Sequence, residues 1–151
     1  MIKSTAKKIV ATGIIFGSLV FTSQAAFAAT IVDTGYNDEY YVAQQMQYGD
    51  IAMGKINSAS DKDWYYIQTG PNDGGRTMTL HLTNPNNYHY IFIVTKNDAE
   101  FVSVTDLNPG NNNEWVSFTV EANTRYNFGV LKSVNSGFDP NALYFLSPTI
   151  F

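Results

Sequence analysis

The chain has 151 residues with no cysteine, and its 13 Asp and Glu outnumber its 9 Lys and Arg. The absence of cysteine excludes disulfides, Cys-ligated zinc and thiol nucleophiles. The acidic balance argues against nucleic acid and against an anionic membrane surface as partners, because both recruit clustered Lys and Arg.

The first 28 residues are typical of a secretory signal that is cleaved after Ala28. Three lysines precede an apolar run over residues 9–22, and Ala26 and Ala28 are the small residues that a signal peptidase reads. This run is shorter than the roughly 20 residues that cross a bilayer, so we expect no membrane insertion. We expect a secreted protein, extracellular or at the cell surface, in which residues 29–151 form one domain. That domain keeps six Lys and Arg against all 13 carboxylates, a net charge of about −7.

Short runs with an apolar residue at every second position predict β-strands between turns rich in Gly, Asn and Pro. The alternation is clear in residues 77–83, 116–120 and 126–130, whereas residues 90–94 are apolar throughout, as in a central strand. One short helical turn is expected within residues 39–47. About eight to nine strands without a long helical segment predict an all-β fold, an antiparallel, jelly-roll-like β-sandwich.

Two carboxylates stand one residue apart at the entrance of an aromatic strand, Asp61–Gln68. Residues i and i+2 of an extended chain lie on one face, so Asp61 and Asp63 project side by side. Like charges this close repel each other unless a cation, a positive side chain or water separates them. The segment therefore predicts a strand with a candidate cation site at its start.

Four short patterns occur in a fixed order along the chain: Asn37-Asp38 before Ala43, Gly54-Lys55-Ile56, the D-x-D-x-Y-x-aliphatic run of residues 61–67, and the closing strand Leu143–Leu146. In this order the chain resembles the bacterial pre-peptidase C-terminal (PPC) domain, a β-sandwich module of secreted peptidases, and it is similar to the collagen-binding domains of clostridial collagenases. Residues 124–130 fit the family's pattern more loosely. The module follows the signal directly, so we expect it to act alone or with a separate partner.

The resemblance implies a Ca²⁺ site formed by the N-terminal segment and the loop before the aromatic strand. Its candidate ligands are Asn37, Asp38, Glu39, Ser60, Asp61 and Asp63. Such a set suits calcium, which takes six to eight oxygen ligands from carboxylates, amides, hydroxyls and backbone carbonyls. The alternative is that Asp61 and Asp63 accept backbone N–H bonds within their loop while Asp38 is solvated.

Aromatic residues supply a second candidate surface. The family pattern implies that Tyr65 and Ile67 point into the core, which turns Trp64 and Tyr66 to the opposite face of the strand. We predict that Trp64, Tyr66 and Tyr88 are exposed and bind a ligand, because Tyr and Trp offer rigid contact area. The alternative is a second apolar layer beneath a loop.

No catalytic residue is predicted, because the chain has neither a Gly-x-Ser-x-Gly nor an HExxH motif. His81 and His89 flank a turn, and we expect both to be exposed polar residues, with a two-His metal site as the less favoured interpretation. Asp61 and Asp63 as a glycosidase pair are disfavoured, since a strand entrance offers no evident cleft.

The sequence thus favours a non-enzymatic binding or accessory module that recognises an extracellular protein or polysaccharide through an aromatic face. One alternative is a self-associating structural protein of the matrix, spore or cell surface, which would form homo-oligomers. The other is a small secreted hydrolase or a peptidase inhibitor.

Overall fold

The computed structural model describes residues 28–97, 100–105 and 113–151, and for residues 100–105 it describes the backbone alone. The predicted signal, residues 1–28, therefore lies outside the described residues except for Ala28. Within the described ranges, no helix is long and apolar enough to cross a bilayer.

The described chain folds into ten strands and one 3-10 turn. The strands are β1 (Thr30–Val32), β2 (Gln44–Gln45), β3 (Ile51–Gly54), β4 (Lys62–Gln68), β5 (Thr77–Thr83), β6 (Tyr90–Lys96), β7 (Glu100–Thr105), β8 (Asn113–Thr119), β9 (Arg125–Lys132) and β10 (Tyr144–Ile150). The 3-10 turn, Tyr40–Val42, is shorter than the helical turn expected within residues 39–47.

The strands form two five-stranded sheets, which confirms the predicted all-β sandwich. Sheet A has the order β1-β3-β10-β5-β8, and sheet B has the order β2-β4-β9-β6-β7. Most neighbours are antiparallel, but β1 pairs with β3 and β2 pairs with β4 in parallel. Both parallel pairs involve a very short strand of the N-terminal segment.

The core lies between the sheets and follows from the alternation in the sequence. Inward-facing positions of β5, β6 and β9 are all buried, as predicted: Met78, Leu80, Leu82, Phe92, Val94, Tyr126, Phe128 and Val130. Each large apolar side chain that is removed from water contributes roughly 1.5–3 kcal/mol. Without any disulfide, this contiguous cluster is what holds the two sheets together.

The N-terminal segment crosses from one sheet to the other. After β1 leaves sheet A, residues 33–43 pass over the end of the sandwich, and β2 then joins sheet B beside β4. The Gln44 side chain spans the crossing: its amide donates to the Val32 carbonyl at 3.0 Å and accepts from the Thr34 N–H at 3.3 Å. This crossing brings Asn37 and Asp38 to the start of β4.

Candidate cation site

Asp63 is a fully buried carboxylate near the start of β4. It points between the sheets, where the hydroxyl of Tyr144 on β10 donates to its Oδ2 at 2.5 Å. The Tyr65 hydroxyl lies 2.8 Å from the Tyr144 hydroxyl and extends this polar chain into the core. Asp63 is thereby joined to both sheets.

Tyr144 can reach Asp63 because its neighbour in register on β3 is Gly54. A Cβ at position 54 would lie 2.1 Å from the Tyr144 hydroxyl oxygen. The Gly-x-Ile step noted in the sequence therefore has a structural cause, since only glycine leaves room for this ring.

Asn37 fixes the N-terminal segment to β4 through two hydrogen bonds. The Trp64 N–H donates to the Asn37 carbonyl at 2.8 Å, and the Asn37 side-chain amide donates to the Trp64 carbonyl at 3.2 Å. The remaining Asn37 Oδ1 and the second carboxylate oxygen of Asp63, Oδ1, are both buried and have no hydrogen-bond partner in the described part of the chain. Because Asn37 is bonded to Trp64, the residue after Asp63, both unpaired oxygens belong to the junction of the N-terminal segment with β4.

Asp38 and Asp61 complete a carboxylate cluster with Asp63. One oxygen from each of the three groups lies within 4.8 Å of the others, and the exposure of the three side chains falls from Asp38 through Asp61 to Asp63. The Asn57 N–H donates to Asp61 Oδ2 at 2.5 Å. Asp61 therefore caps its own loop, as the alternative to metal binding predicted. A carboxylate has two oxygens and several lone pairs, so capping by one oxygen is compatible with a cation on the other.

Burial dominates the electrostatics of the cluster. It raises the pKa of Asp63 to about 8, against the lowering effect of the Tyr144 hydrogen bond, and the nearby Asp33, Asp61 and Asp38 carboxylates add to the increase. The pKa of Asp33 is also raised, first by burial and then by the charges of Asp61 and Asp38. A bound cation would favour the ionised form of each of these groups.

Asp33 was not predicted as a site residue. It follows β1 and caps its own turn, where the Gly35 N–H donates to its Oδ1 at 3.0 Å. The Asp-x-Gly pattern was a visible signal for this turn, but nothing in the sequence placed the turn beside residues 61–63.

The remaining predicted ligands lie at the edge of the cluster. Glu39 is exposed at the start of the 3-10 turn, where its backbone carbonyl accepts the Val42 N–H at 3.0 Å, and its carboxylate is not part of the clustered group. Ser60 is exposed, and its hydroxyl lies 3.3 Å from that of Ser58. The oxygens that converge belong to Asp38, Asp61 and Asp63, hard ligands that suit Ca²⁺, and Asn37 is joined to β4 beside them through its hydrogen bond to Trp64.

The aromatic prediction was partly wrong. Tyr65 and Ile67 are core residues as expected, and Trp64 does point to the outer side of sheet B, but it is only 8% exposed. The 3-10 turn covers it, with the Tyr40 ring edge-on at a centroid distance of 6.2 Å. On its other side Trp64 packs on Gly129, where a Cβ would lie 2.8 Å from the indole. The second apolar layer beneath a loop, which was the alternative, is what the structure shows for Trp64.

Tyr66 and Tyr88 lie far apart. Tyr66 is half-buried, with the Arg125 guanidinium 4.0 Å above its ring and its hydroxyl donating to Gln45. Tyr88 precedes β6 and packs partly against the core cluster. The residue two positions after it, Tyr90, pairs with Lys132, whereas Tyr66 pairs with Asn127. The three predicted aromatics therefore do not form one surface.

The tyrosines that the structure does expose on this side are Tyr36 and Tyr41. Tyr41 is 68% exposed and meets Tyr40 edge-to-face at a centroid distance of 5.6 Å. Both belong to the crossing segment that carries Asn37 and Asp38. Strand alternation did not predict their exposure, because the segment between β1 and β2 contains no strand and only one 3-10 turn.

The two histidines have different surroundings. His81 is exposed on the outer side of sheet A, as expected. His89 is partly buried, and its Nε2 lies 3.6 Å from Oε1 of the fully buried Glu114, so the expectation that it is exposed was wrong. In the described residues, the three aspartates are the one group of three or more acidic and His side chains close enough to share a metal ion.

Solved structures with a similar fold were found, although a comparison with protein-family models and one with curated protein sequences gave no match. The pre-peptidase C-terminal domain of collagenase from Bacillus anthracis superposes with a TM-score of 0.56 at 15% identity, over 71% of this chain and 94% of that domain. PliG from Aeromonas hydrophila, a periplasmic inhibitor of g-type lysozyme, gives a TM-score of 0.52 at 15% identity, over 81% of this chain and 99% of that protein. The chain therefore has the β-sandwich fold of the PPC domain, and the resemblance predicted from the sequence is confirmed in the fold.

Proposed function

We propose that the protein is a secreted, non-enzymatic binding or accessory module whose N-terminal segment is held in place by Ca²⁺. The observation that carries the proposal is the pair of buried oxygens without partners, Asn37 Oδ1 and Asp63 Oδ1, beside the carboxylates of Asp38 and Asp61. A buried polar atom left unpaired costs about 1–3 kcal/mol, and more for a charged group. A cation at this position would bind both oxygens and neutralise the clustered carboxylates.

The ion would act as a clasp between the sheets. Asn37 and Asp38 lie on the segment that crosses from β1 to β2, Asp61 and Asp63 lie at the start of β4, and Tyr144 links Asp63 to β10. The parallel pairs β1–β3 and β2–β4 span only three and two residues. A cation would therefore stabilise the fold where the strands share the fewest backbone hydrogen bonds.

The same segment exposes Tyr36 and Tyr41, so a cation that orders it would also fix an aromatic contact surface. Rigid aromatic side chains lose little conformational entropy on binding, which is why they are frequent in binding surfaces. A partner outside the cell, a protein or a polysaccharide, fits the predicted secretory signal and the acidic charge. The two structural neighbours, a domain of a collagenase and a lysozyme inhibitor, support a module that works beside or upon another protein.

Thermal unfolding with calcium or with a chelator tests the clasp. At 100 times the dissociation constant a ligand stabilises the folded state by about 2.7 kcal/mol, which raises the Tm of a domain of this size by about 10 °C. We expect this increase with Ca²⁺ and a smaller one with Mg²⁺, which demands stricter octahedral geometry. Asp63→Asn should stay folded in chelator, because an amide still accepts from Tyr144, and should lose the response to Ca²⁺.

Glu39→Gln is the matched control, since it removes a carboxylate from the same segment but outside the cluster. It should keep the full response. A wild-type Tm that is identical in calcium and in chelator would refute the proposal, and so would a response that Asp63→Asn and Asp38→Asn both retain.

A second candidate, an inhibitor of an extracellular hydrolase, is motivated by the structural likeness to the g-type lysozyme inhibitor over 81% of this chain. Adding the purified protein to g-type lysozyme and to a panel of secreted peptidases tests it. Stoichiometric inhibition of any of these enzymes would favour this candidate over the accessory module.

A further inference from the structure

The outer face of sheet A carries no charged side chain. Its strands alternate cleanly between buried and exposed positions, and the exposed positions hold Thr, Ser, Asn, His and apolar residues. Among Asp, Glu, Lys and Arg the five strands hold only Glu114, which points inward and is fully buried, and His81 is the one basic side chain on the outer face. A five-stranded face without charge is unexpected in a domain with six Lys and Arg and 13 carboxylates.

Two exposed aromatics stand on this face, Trp115 at 49% and Phe145 at 39% exposure. Trp115 on β8 pairs with His81 on β5, and Phe145 on β10 pairs with Thr83 on β5. The aromatics are thus two strands and two residues apart, which corresponds to about 12 Å between their Cα atoms. Val32 and Ile51 are exposed on the same face, so the aromatics belong to a larger group of exposed apolar side chains, the kind of group that marks an interaction site.

Hydroxyl groups line this face on the β5 side of Phe145, whereas the apolar Met53 and Val32 lie on its other side. Thr149, Thr79 and Ser117 form one row across β10, β5 and β8, with the Thr79 and Ser117 hydroxyls 2.7 Å apart. A hydroxyl both donates and accepts, so such a row can bond to ligand hydroxyls in either direction. Aromatic rings offer a flat apolar surface of the kind that the C–H side of a sugar ring requires.

We propose that the outer face of sheet A binds a neutral polysaccharide, with Trp115 and Phe145 stacking on sugar rings and the Thr and Ser hydroxyls bonding to sugar hydroxyls. A charged ligand would find no counter-charge here, whereas an uncharged chain needs none. A second copy of this protein is the alternative occupant, and the oligomeric state in solution tests it.

This surface is separate from the cation site, which lies between the sheets. Sedimentation of the full chain with microcrystalline cellulose and with chitin tests the proposal, with an anionic polysaccharide as the charged comparison. We expect binding to at least one neutral polymer, little effect of added salt because no charge takes part, and no binding to the anionic one. Truncating a central aromatic commonly costs more than 1.4 kcal/mol, so Trp115→Ala should weaken binding about tenfold.

Val134→Ala is the matched control, because it truncates an exposed apolar side chain in the loop after β9, outside sheet A, and should leave this binding unchanged. Ser117→Asp, which adds a charge but keeps both aromatics, should also reduce binding. Failure to bind both neutral polymers would overturn the proposal. So would a wild-type dimer in sedimentation velocity that Trp115→Ala converts to a monomer, since the face would then be occupied by a second copy. The calcium response of the Tm is a separate readout and would not change in either case.

Discussion

At the scale of single residues, the geometry of the site depends on what is missing at position 54. Tyr144 points at Asp63 only because Gly54 has no side chain, so one glycine, one tyrosine and one aspartate form a single unit. Burial leaves Asp63 with one donor from Tyr144 and one oxygen without a partner. Changing the glycine therefore tests the whole unit without touching a candidate ligand.

We predict that Gly54→Ala lowers the free energy of unfolding by about 1–3 kcal/mol, the usual cost of an added methyl in a filled core. The added Cβ must displace the Tyr144 ring, which removes the donor from Asp63 Oδ2. Urea unfolding followed by tryptophan fluorescence measures the change.

The control for this prediction is Gly137→Ala, where the new Cβ would meet the Tyr88 ring at 3.5 Å, an ordinary contact. We expect a change within about 0.5 kcal/mol for this exposed position. Equal stability of the wild type and Gly54→Ala would show that Tyr144 is not confined as described.

Residue spacing was enough to find most of the site but not all of it. Asp61 and Asp63 were identified because i and i+2 positions share a strand face, although in the structure Asp61 stands just before the strand. Asp33 was missed because its proximity arises from the crossing of the N-terminal segment, a long-range feature. Alternation also predicted correctly that Trp64 points to the outer side of sheet B. It predicted wrongly that Trp64 is exposed, because alternation does not show that the 3-10 turn covers this face.

At the scale of elements, the turn between β4 and β5 is organised by one carboxylate. Asp73 Oδ2 accepts from the Gly70 N–H at 2.7 Å and from the Tyr48 hydroxyl at 3.1 Å, and Arg76 lies 3.2 Å from its Oδ1. The Gly70 hydrogen bond is the largest cause of a lowered pKa for Asp73, and Tyr48 and Arg76 act in the same direction. The turn is thereby tied to the loop that precedes β3.

A lowered pKa gives this group a definite pH dependence. The folded state binds fewer protons than the unfolded state, so the stabilisation is complete above the unfolded pKa of 3.8 and is lost as the pH falls through the folded pKa. We predict that Asp73→Asn lowers the free energy of unfolding by about 1 kcal/mol at neutral pH. This difference from the wild type should shrink between about pH 5 and about pH 2.

Urea midpoints across that pH range measure the effect. Asn72→Ser, in the same turn but without a titrating group, should show a difference from wild type that is small and constant with pH. A difference between Asp73→Asn and the wild type that grows on acidification would contradict the assigned direction of the pKa shift.

The long strands were predictable because burial on one face imposes a period of two, as in β5 and β9. The pairings of β1 and β2 were not, because strands of three and two residues carry no periodic signal. These short parallel pairs nevertheless create the crossing that assembles the candidate site.

At the scale of the whole molecule, the two sheets have different chemical roles. Sheet B and the crossing segment carry clustered carboxylates and exposed tyrosines, whereas the outer face of sheet A carries hydroxyls and two aromatics without charge. Tyr144 belongs to sheet A but points inward, and β5 separates its strand from β8, where Trp115 points outward. Side chains that are separated in this way and share no partner usually contribute additively.

We therefore predict that calcium stabilisation and polysaccharide binding are independent. Trp115→Ala should bind the neutral polymer about tenfold more weakly and keep the calcium-dependent rise in Tm. Asp38→Asn should lose that rise in Tm and keep the polymer binding, when sedimentation is measured well below its Tm. In the double variant the two losses should simply combine, within about twofold in affinity. If chelating calcium weakens polymer binding of the wild type while the domain is still folded, the cation site and the outer face of sheet A are coupled. Such coupling would pass through β10, where Phe145 on the outer face directly follows Tyr144, the donor to Asp63, or through β1, which leads into Asp33 and the crossing segment.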